Sequence, residues 1–279
     1  MTANASASAE SFKTVDQLID CVLQRHFGID PRELPVVGAF EIDQSTQFPG
    51  TEQKYRNYYL LLRVNAVFGG CCVEAEQLEQ VAARELVGQS LAALLEDARL
   101  PVRVAALDAY LGVVLPHRDD HRARELELPY GTPFTRAVAR DKAIVSLLAI
   151  EPDQAVGLIG VVNPIVQAIE ARGARCLPCD FNMQRTAGGL VVQRDMRPVL
   201  EQADFIIATG MTLSNGSFDE ILAAARRRNI PLVVYAQTGS AIVPRFLGQG
   251  VSAVSAEPFP YSQFSADPTA IYLYRAANP

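Results

Sequence analysis

Ala203-Asp-Phe-Ile-Ile-Ala-Thr-Gly-Met-Thr-Leu-Ser-Asn-Gly-Ser-Phe-Asp-Glu-Ile-Leu222 is the stretch whose reading decides the fold. Phe205 to Ala208 is an unbroken apolar run of strand length that stops at Thr209-Gly210. A polar loop of small residues follows. Phe218, Ile221 and Leu222 then repeat at the spacing of one helix face. Ser214, Asn215 and Ser217 offer side-chain oxygens of the kind that cap a helix start. In an open parallel sheet, ligands bind beyond the carboxyl ends of the strands, where loop amides and helix N-termini converge. The Thr209 to Ser217 loop is therefore where function is expected.

The same strand–helix alternation extends to both sides of this stretch. Ala155 to Val162 is a continuous apolar run, followed by the amphipathic Ile165 to Glu170 and a stop at Arg172-Gly173. Ala174 to Phe181 reads as a second strand, Met196 to Glu201 as a short helix, and Phe218 to Arg228 as a longer one. Strands at Ile230 to Ala236, Gly250 to Ala256 and Ala270 to Tyr274 complete the pattern. Strands separated by helices of this length imply right-handed βαβ units and a parallel sheet over about 151–279.

Upstream the pattern differs. Val15, Leu18, Ile19, Val22 and Leu23 form a helical stripe, and strands are expected at Val36 to Ile42, Tyr58 to Val67 and Val67 to Val73. Gly69-Gly70 inside the last reads as a bulge or turn. Helices follow in Glu74 to Leu95 and Val102 to Leu111, so 12–115 is expected to be a smaller α+β domain. Residues 116–150 read as a charged, Pro-flanked connector ending in a helix, and 1–11 as an Ala/Ser-rich tail. The expected fold class is α/β, with the α+β domain preceding a Rossmann-like domain.

Composition narrows the function classes. The chain has 279 residues, a net charge of −6 and 49% hydrophobic residues. That acidic balance argues against a nucleic-acid or anionic-membrane footprint, and no apolar run is long enough to span a bilayer. Five cysteines, an odd number in a chain this large, do not make a disulfide framework, so a reducing cytoplasm is expected.

Three strand-end segments share Gly, Asn, Ser and Thr: Gly160-Val-Val-Asn163-Pro164, Thr209-Gly210-Met-Thr212-Leu-Ser-Asn215-Gly216-Ser217, and Gln237-Thr238-Gly-Ser240. With these motifs the chain resembles the prokaryotic family described as "putative heavy-metal chelation". Leu86-Val-Gly88-Gln-Ser90-Leu and the Ala-rich Ala105 to Leu111 are similar to that family's first half. The resemblance implies an N-terminal domain like that of enolase joined to a Rossmann-like C-terminal domain, and a metal-related role. The chain departs from the family at Val161 to Asn163, where an aromatic residue or His is usual, and at Asp108, where Asn is usual.

The hydroxyls, amide and backbone N–H groups of the Thr209 to Ser217 loop suit an anionic group, and their ordinary alternative is a capped helix. Gly157 and Gly160 with Asp180 imitate part of a dinucleotide fingerprint, in which the acid holds a ribose. Cys176-Leu-Pro-Cys179 has the spacing of a redox or zinc pair, but its strand setting favours buried structural thiols. His117-Arg-Asp-Asp-His121 reads as solvated linker, and Arg226 to Arg228 as a solvated helix end. Asn65, Glu74 and Asp108 are polar residues beside apolar elements that would face an interdomain cleft.

The expected ligand site is Gly160, Asn163, Asp180, Thr209, Gly210, Thr212, Asn215, Gly216, Thr238 and Ser240, closed by Asp108. No metal ligands are expected, and the sequence names no cofactor and no catalytic residue. The expected partner is a small polar or anionic molecule or a metal complex, with neither nucleic acid nor membrane, and with a homodimer as the assembly. The alternative is an enzyme that uses an S-adenosyl or nucleotide-type cofactor.

Overall fold

The computed structural model describes residues 11–47 and 54–277, and of residues 54 and 55 the backbone alone. The expected tail, except for Ser11, lies outside the described residues. Ten strands are found among them, in two sheets.

The smaller sheet is antiparallel, in the order β1 (Gly38–Gln47), β2 (Lys54–Val64), β3 (Val67–Val73). Asn65, at φ 53°, makes the tight turn between β2 and β3. Gly69 and Gly70 do not form a bulge; both lie inside β3 and permit close approach. A Cβ on Gly69 would stand 2.1 Å from the Ala105 carbonyl oxygen, and one on Gly70 2.1 Å from the Tyr261 hydroxyl. The helix Leu100–Val114 thus lies directly against one side of β3, and a loop of the second half against the other.

The larger sheet has seven strands: β4 (Ala123–Leu128), β5 (Ala155–Ile159), β6 (Arg175–Cys179), β7 (Phe205–Thr209), β8 (Leu232–Ala236), β9 (Ala253–Ala256) and β10 (Thr269–Arg275). Their order is β4-β10-β9-β8-β7-β5-β6. From β6 to β9 every neighbouring pair is parallel, including β7 with β8, as the strand–helix alternation requires. The last two strands are antiparallel additions, β10 on β9 and β4 on β10. β4 falls in the segment read as connector. Its alternating Leu126 and Leu128 pack toward the helix Pro133–Ser146, which the surrounding charges conceal in sequence.

The connector is also less solvated than expected. His117 is buried, 2.7 Å from the Tyr274 hydroxyl through Nδ1 and stacked on Tyr272, and burial lowers its pKa to about 4. Asp120 pairs with Arg122 and with Arg245. The basic helix end is engaged too. Arg226 donates to the carbonyls of Phe12 and Lys13, and Val15 N–H donates to Asp219, so the first helix, Val15–Leu23, is tied to Phe218–Arg228. One hydrophobic cluster runs through both halves, from Leu18 and Leu107 to Phe218 and Val254.

Candidate functional site

The parallel strands run in the order β6-β5-β7-β8-β9. The chain steps from β5 outward to β6, then returns to the other side of β5 to begin β7. The helices after β5 and β7 therefore leave on opposite faces, and a crevice opens between the ends of these two strands. A cavity of about 380 Å³ occupies this position. Ile159 and Gly160 from the end of β5, Cys179 and Asp180 from β6, and Thr209, Met211 and Thr212 from β7 form its floor. Arg194 to Arg197, Phe181 and Asn182 make one wall. Glu74, just past β3 of the smaller sheet, reaches over from the other half.

Gly160 shapes the floor. Its φ is +82°, and a Cβ there would lie 2.4 Å from the Thr209 side chain. The Tyr235 hydroxyl donates to its carbonyl at 2.8 Å, fixing the turn. Asp180 holds the same turn from the other side. One carboxylate oxygen accepts from Val161 N–H at 2.9 Å and the other from Asn182 N–H at 2.8 Å. Asn182 in turn donates through its side-chain amide to both carboxylate oxygens of Glu74, at 3.3 and 3.2 Å. Glu74 also forms a reciprocal cap with Gln77, whose side chain donates to the Ser214 carbonyl at 3.2 Å. The two halves thus meet across the cavity rim.

Of the residues expected at the site, Gly160, Asp180, Thr209, Thr212 and Asn215 line this cavity. The others lie elsewhere. Asn163 accepts from Ala187 N–H at 2.9 Å. Gly210 is pressed against the next turn, where a Cβ would be 2.4 Å from the Thr238 carbonyl oxygen. Gly216, at φ +79°, serves the turn between Met211–Ser214 and Phe218–Arg228.

Thr238, Ser240 and Asp108 are buried in a junction between the halves, away from the cavity. β3 is an edge strand of its sheet, and its outward N–H groups at alternate residues need acceptors. Gly70 N–H donates to Asp108 at 2.9 Å and Cys72 N–H to Thr238 Oγ1 at 2.7 Å. Asp108 accepts a second bond, from Ala241 N–H at 2.8 Å, and the Gly239 N–H donates to the Gly70 carbonyl at 3.2 Å. Burial raises the Asp108 pKa to about 7 against the lowering effect of its two amide donors.

Three of the donors expected to meet an anion are already engaged, and the Asn215 side-chain N–H groups are not among them. The Thr212 hydroxyl donates to the Thr209 carbonyl, and the Ser217 hydroxyl and N–H both donate to Asn215 Oδ1. The sequence did not assign Phe181, Asn182 or Arg194 to Arg197 to the site: Phe181 and Met196 fall at the ends of an expected strand and an expected short helix, and the loop between them has no periodic pattern. Asp195 accepts from Arg197 N–H at the start of a short helix, and Arg197 pairs with Glu220 at 3.3 Å.

A metal-related role calls for a donor set, and the residues present do not fit one. Among the described residues no group of three or more His, Cys, Asp or Glu side chains is placed to hold an ion. Cys176 and Cys179 belong to separate core clusters on opposite faces of β6, and burial pushes their thiols up to about 12 and about 11. Asp180 accepts one backbone N–H on each carboxylate oxygen and belongs to no such group of three among the described residues.

Fold and cavity define an α/β protein with a doubly wound sheet and an open switch-point crevice. Residues 142–255 match the DUF364 family, described as "Putative heavy-metal chelation", so the likeness carried by the strand-end motifs is shown. A DUF364 protein of unknown function from Pyrococcus horikoshii is 14% identical, with a TM-score of 0.60, over 93% of this chain and all of that one. A second, from Desulfitobacterium hafniense, is 16% identical with a TM-score of 0.57, over 88% of this chain and 87% of that one. These two show a shared fold. No curated protein matches the chain. Among the described residues no helix is long and apolar enough to cross a membrane.

Proposed function

We propose that this chain binds a small polar molecule, or a metal already held in an organic complex, in the cavity between the ends of β5 and β7. The observation that carries this reading is the cavity itself: an open space of about 380 Å³ at the switch point, where doubly wound sheets bind their ligands. Its lining supports the same reading. Apolar and sulfur-bearing surfaces of Ile159, Met196, Met211 and Phe181 stand beside a few placed polar groups, the usual make-up of a ligand pocket. A cytoplasmic location, in keeping with five cysteines that make no disulfide framework, and a homodimer go with this proposal.

A second reading is favoured by Asp180. It stands at the end of β6, beside the turn after β5, where doubly wound enzymes hold the ribose of a nucleoside cofactor. On that reading the protein is an enzyme of small-molecule metabolism with an S-adenosyl or nucleotide-type cofactor.

A thermal-shift screen over S-adenosyl compounds, nucleosides, divalent metals and metal–chelator complexes tests both, because a ligand that binds only the folded state raises the melting temperature. The expected result is stabilisation by an organic ligand or complex that is lost in Ser217→Trp, where the new ring fills the cavity. A ligand that stabilises this variant equally well binds elsewhere and overturns the assignment.

A further inference from the structure

We propose that the switch-point cavity prefers a positively charged organic ligand, accepts a neutral one, and turns away molecules that carry phosphate or carboxylate. This rests on the reading of the cavity as the binding site and adds the charge class of its ligand.

The first observation is the inventory of donors. Phosphate sites in doubly wound folds present free N–H groups at the first strand–helix turn. Here the Val161 N–H is bonded to Asp180, and Pro164, in the first turn of the helix Asn163–Glu170, has no N–H. At the turn after β7, the Thr212 and Ser217 hydroxyl hydrogens and the Ser217 N–H all have partners within the loop. Asn182 gives its backbone N–H to Asp180 and its side-chain amide to Glu74.

The second observation is the remaining acceptors and charges. Glu74, Asp180, Asp195 and Glu220 line the cavity against two cations, Arg194 and Arg197. Arg197 is paired with Glu220, and Arg194 donates to the Phe181 carbonyl. Glu74, Asp180 and Asp195 have no ion-pair partner among the described residues, and each carboxylate oxygen retains lone pairs beyond the N–H bonds it accepts. A ligand entering here meets acceptors and negative charge. An ammonium or similar cation gains from both, whereas a phosphate would find as side-chain donors only Arg194, Arg197 and the Asn215 amide, and would face the unpaired carboxylates of Glu74, Asp180 and Asp195.

The third observation is the wall. Phe181 is 53% exposed at the rim, and Met196 and Met211 line the interior. Aromatic faces and thioethers are polarisable surfaces that hold an organic cation without competing for its charge.

The test uses sets of compounds that share one frame and differ in charge: tryptamine, indole-3-acetamide and indole-3-acetate; 5′-amino-5′-deoxyadenosine, adenosine and adenosine 5′-monophosphate. Each is titrated calorimetrically into the wild-type chain, Ser217→Trp and Glu74→Gln, whose amide oxygen still accepts from Asn182. In at least one set the amine is expected to bind about tenfold or more tighter than its anionic counterpart. That gap should narrow in Glu74→Gln and at high salt, and binding should be lost in Ser217→Trp. An anionic member that binds as tightly as its amine, and is lost in Ser217→Trp, overturns the charge preference while leaving the cavity as the site. If no compound shows binding sensitive to Ser217→Trp, or if all bind that variant as well as wild type, both the preference and the cavity assignment fall.

Discussion

The carboxyl ends of the parallel strands divide into two regions of similar composition and opposite use. At β6, β5 and β7 the loops stand apart around a cavity, with Glu74 of the smaller sheet reaching only the rim. At β8 the turn is closed, because the free edge of β3 lies on it and its Gly70 and Cys72 amides are met by Asp108 and Thr238. Gly, Ser and Thr at a strand end provide room for a ligand in one place and a junction between halves in the other. The difference lies in what is packed above them. Where a second sheet brings unpaired amides, small polar side chains become its acceptors.

The largest expected effect falls on the closed region. Asp108→Ala leaves the Gly70 and Ala241 amides buried without partners, and should lower unfolding stability by about 2–5 kcal/mol in urea titrations. A loss no greater than that of an exposed carboxylate would show that the junction is held by other contacts.

The same residue gives the junction a pH signature. Its folded pKa, about 7, lies above the ordinary value of 3.8, so folding takes up a proton between these limits. Its contribution is complete below about 4 and diminishes as pH rises through about 7. His117 acts in the opposite sense, since its pKa falls from 6.5 to about 4 and its burial costs stability as pH drops through that range. The difference between wild type and Asp108→Asn, measured across both windows, isolates the Asp108 slope. A flat difference would mean that Asp108 stays ionised in the folded chain.

A smaller effect sharpens the geometry. Gly70→Ala places a Cβ 2.1 Å from the Tyr261 hydroxyl and should cost about 1–3 kcal/mol through overpacking. Tyr261→Phe removes that oxygen, and the double variant should recover part of the loss. No recovery would place the strain elsewhere.

At the open end, Asn215→Ala removes only the acceptor for Ser217 N–H and Oγ, a loss of about 1 kcal/mol. A much larger loss of stability would mean that the cavity loops are as tightly integrated as the junction.

The sequence carried the strand ends themselves. The apolar runs ending at Gly160 and Thr209 locate β5 and β7, and the spacing to Asp180 finds the acid at the end of β6. It did not separate the cavity residues from the junction residues, because Thr238 and Ser240 have the same chemistry as Thr212. Only the placement of β3, through contacts remote in the chain, assigns them. Glu74 was noticeable as a charge beside an apolar strand, yet its position over the cavity depends on how the halves meet. Arg194 and Asp195 lie in a loop without periodic signal, and the short helix expected from Met196 carried nothing that tied its start to the cavity. β4 was hidden by its charges, although Leu126 and Leu128 hold the alternation of a half-buried strand.

The most direct test compares two variants with one bound probe. Once a probe has been found for the wild-type chain, its affinity and the melting temperature are measured in Ser217→Trp and Thr238→Val. Ser217→Trp should abolish binding with little change in melting temperature. Thr238→Val, which leaves the Cys72 amide without its acceptor, should melt several degrees lower, at a cost of about 1–3 kcal/mol, and bind the probe as well as wild type. Binding retained in Ser217→Trp and lost in folded Thr238→Val would contradict the account and move the ligand to the junction.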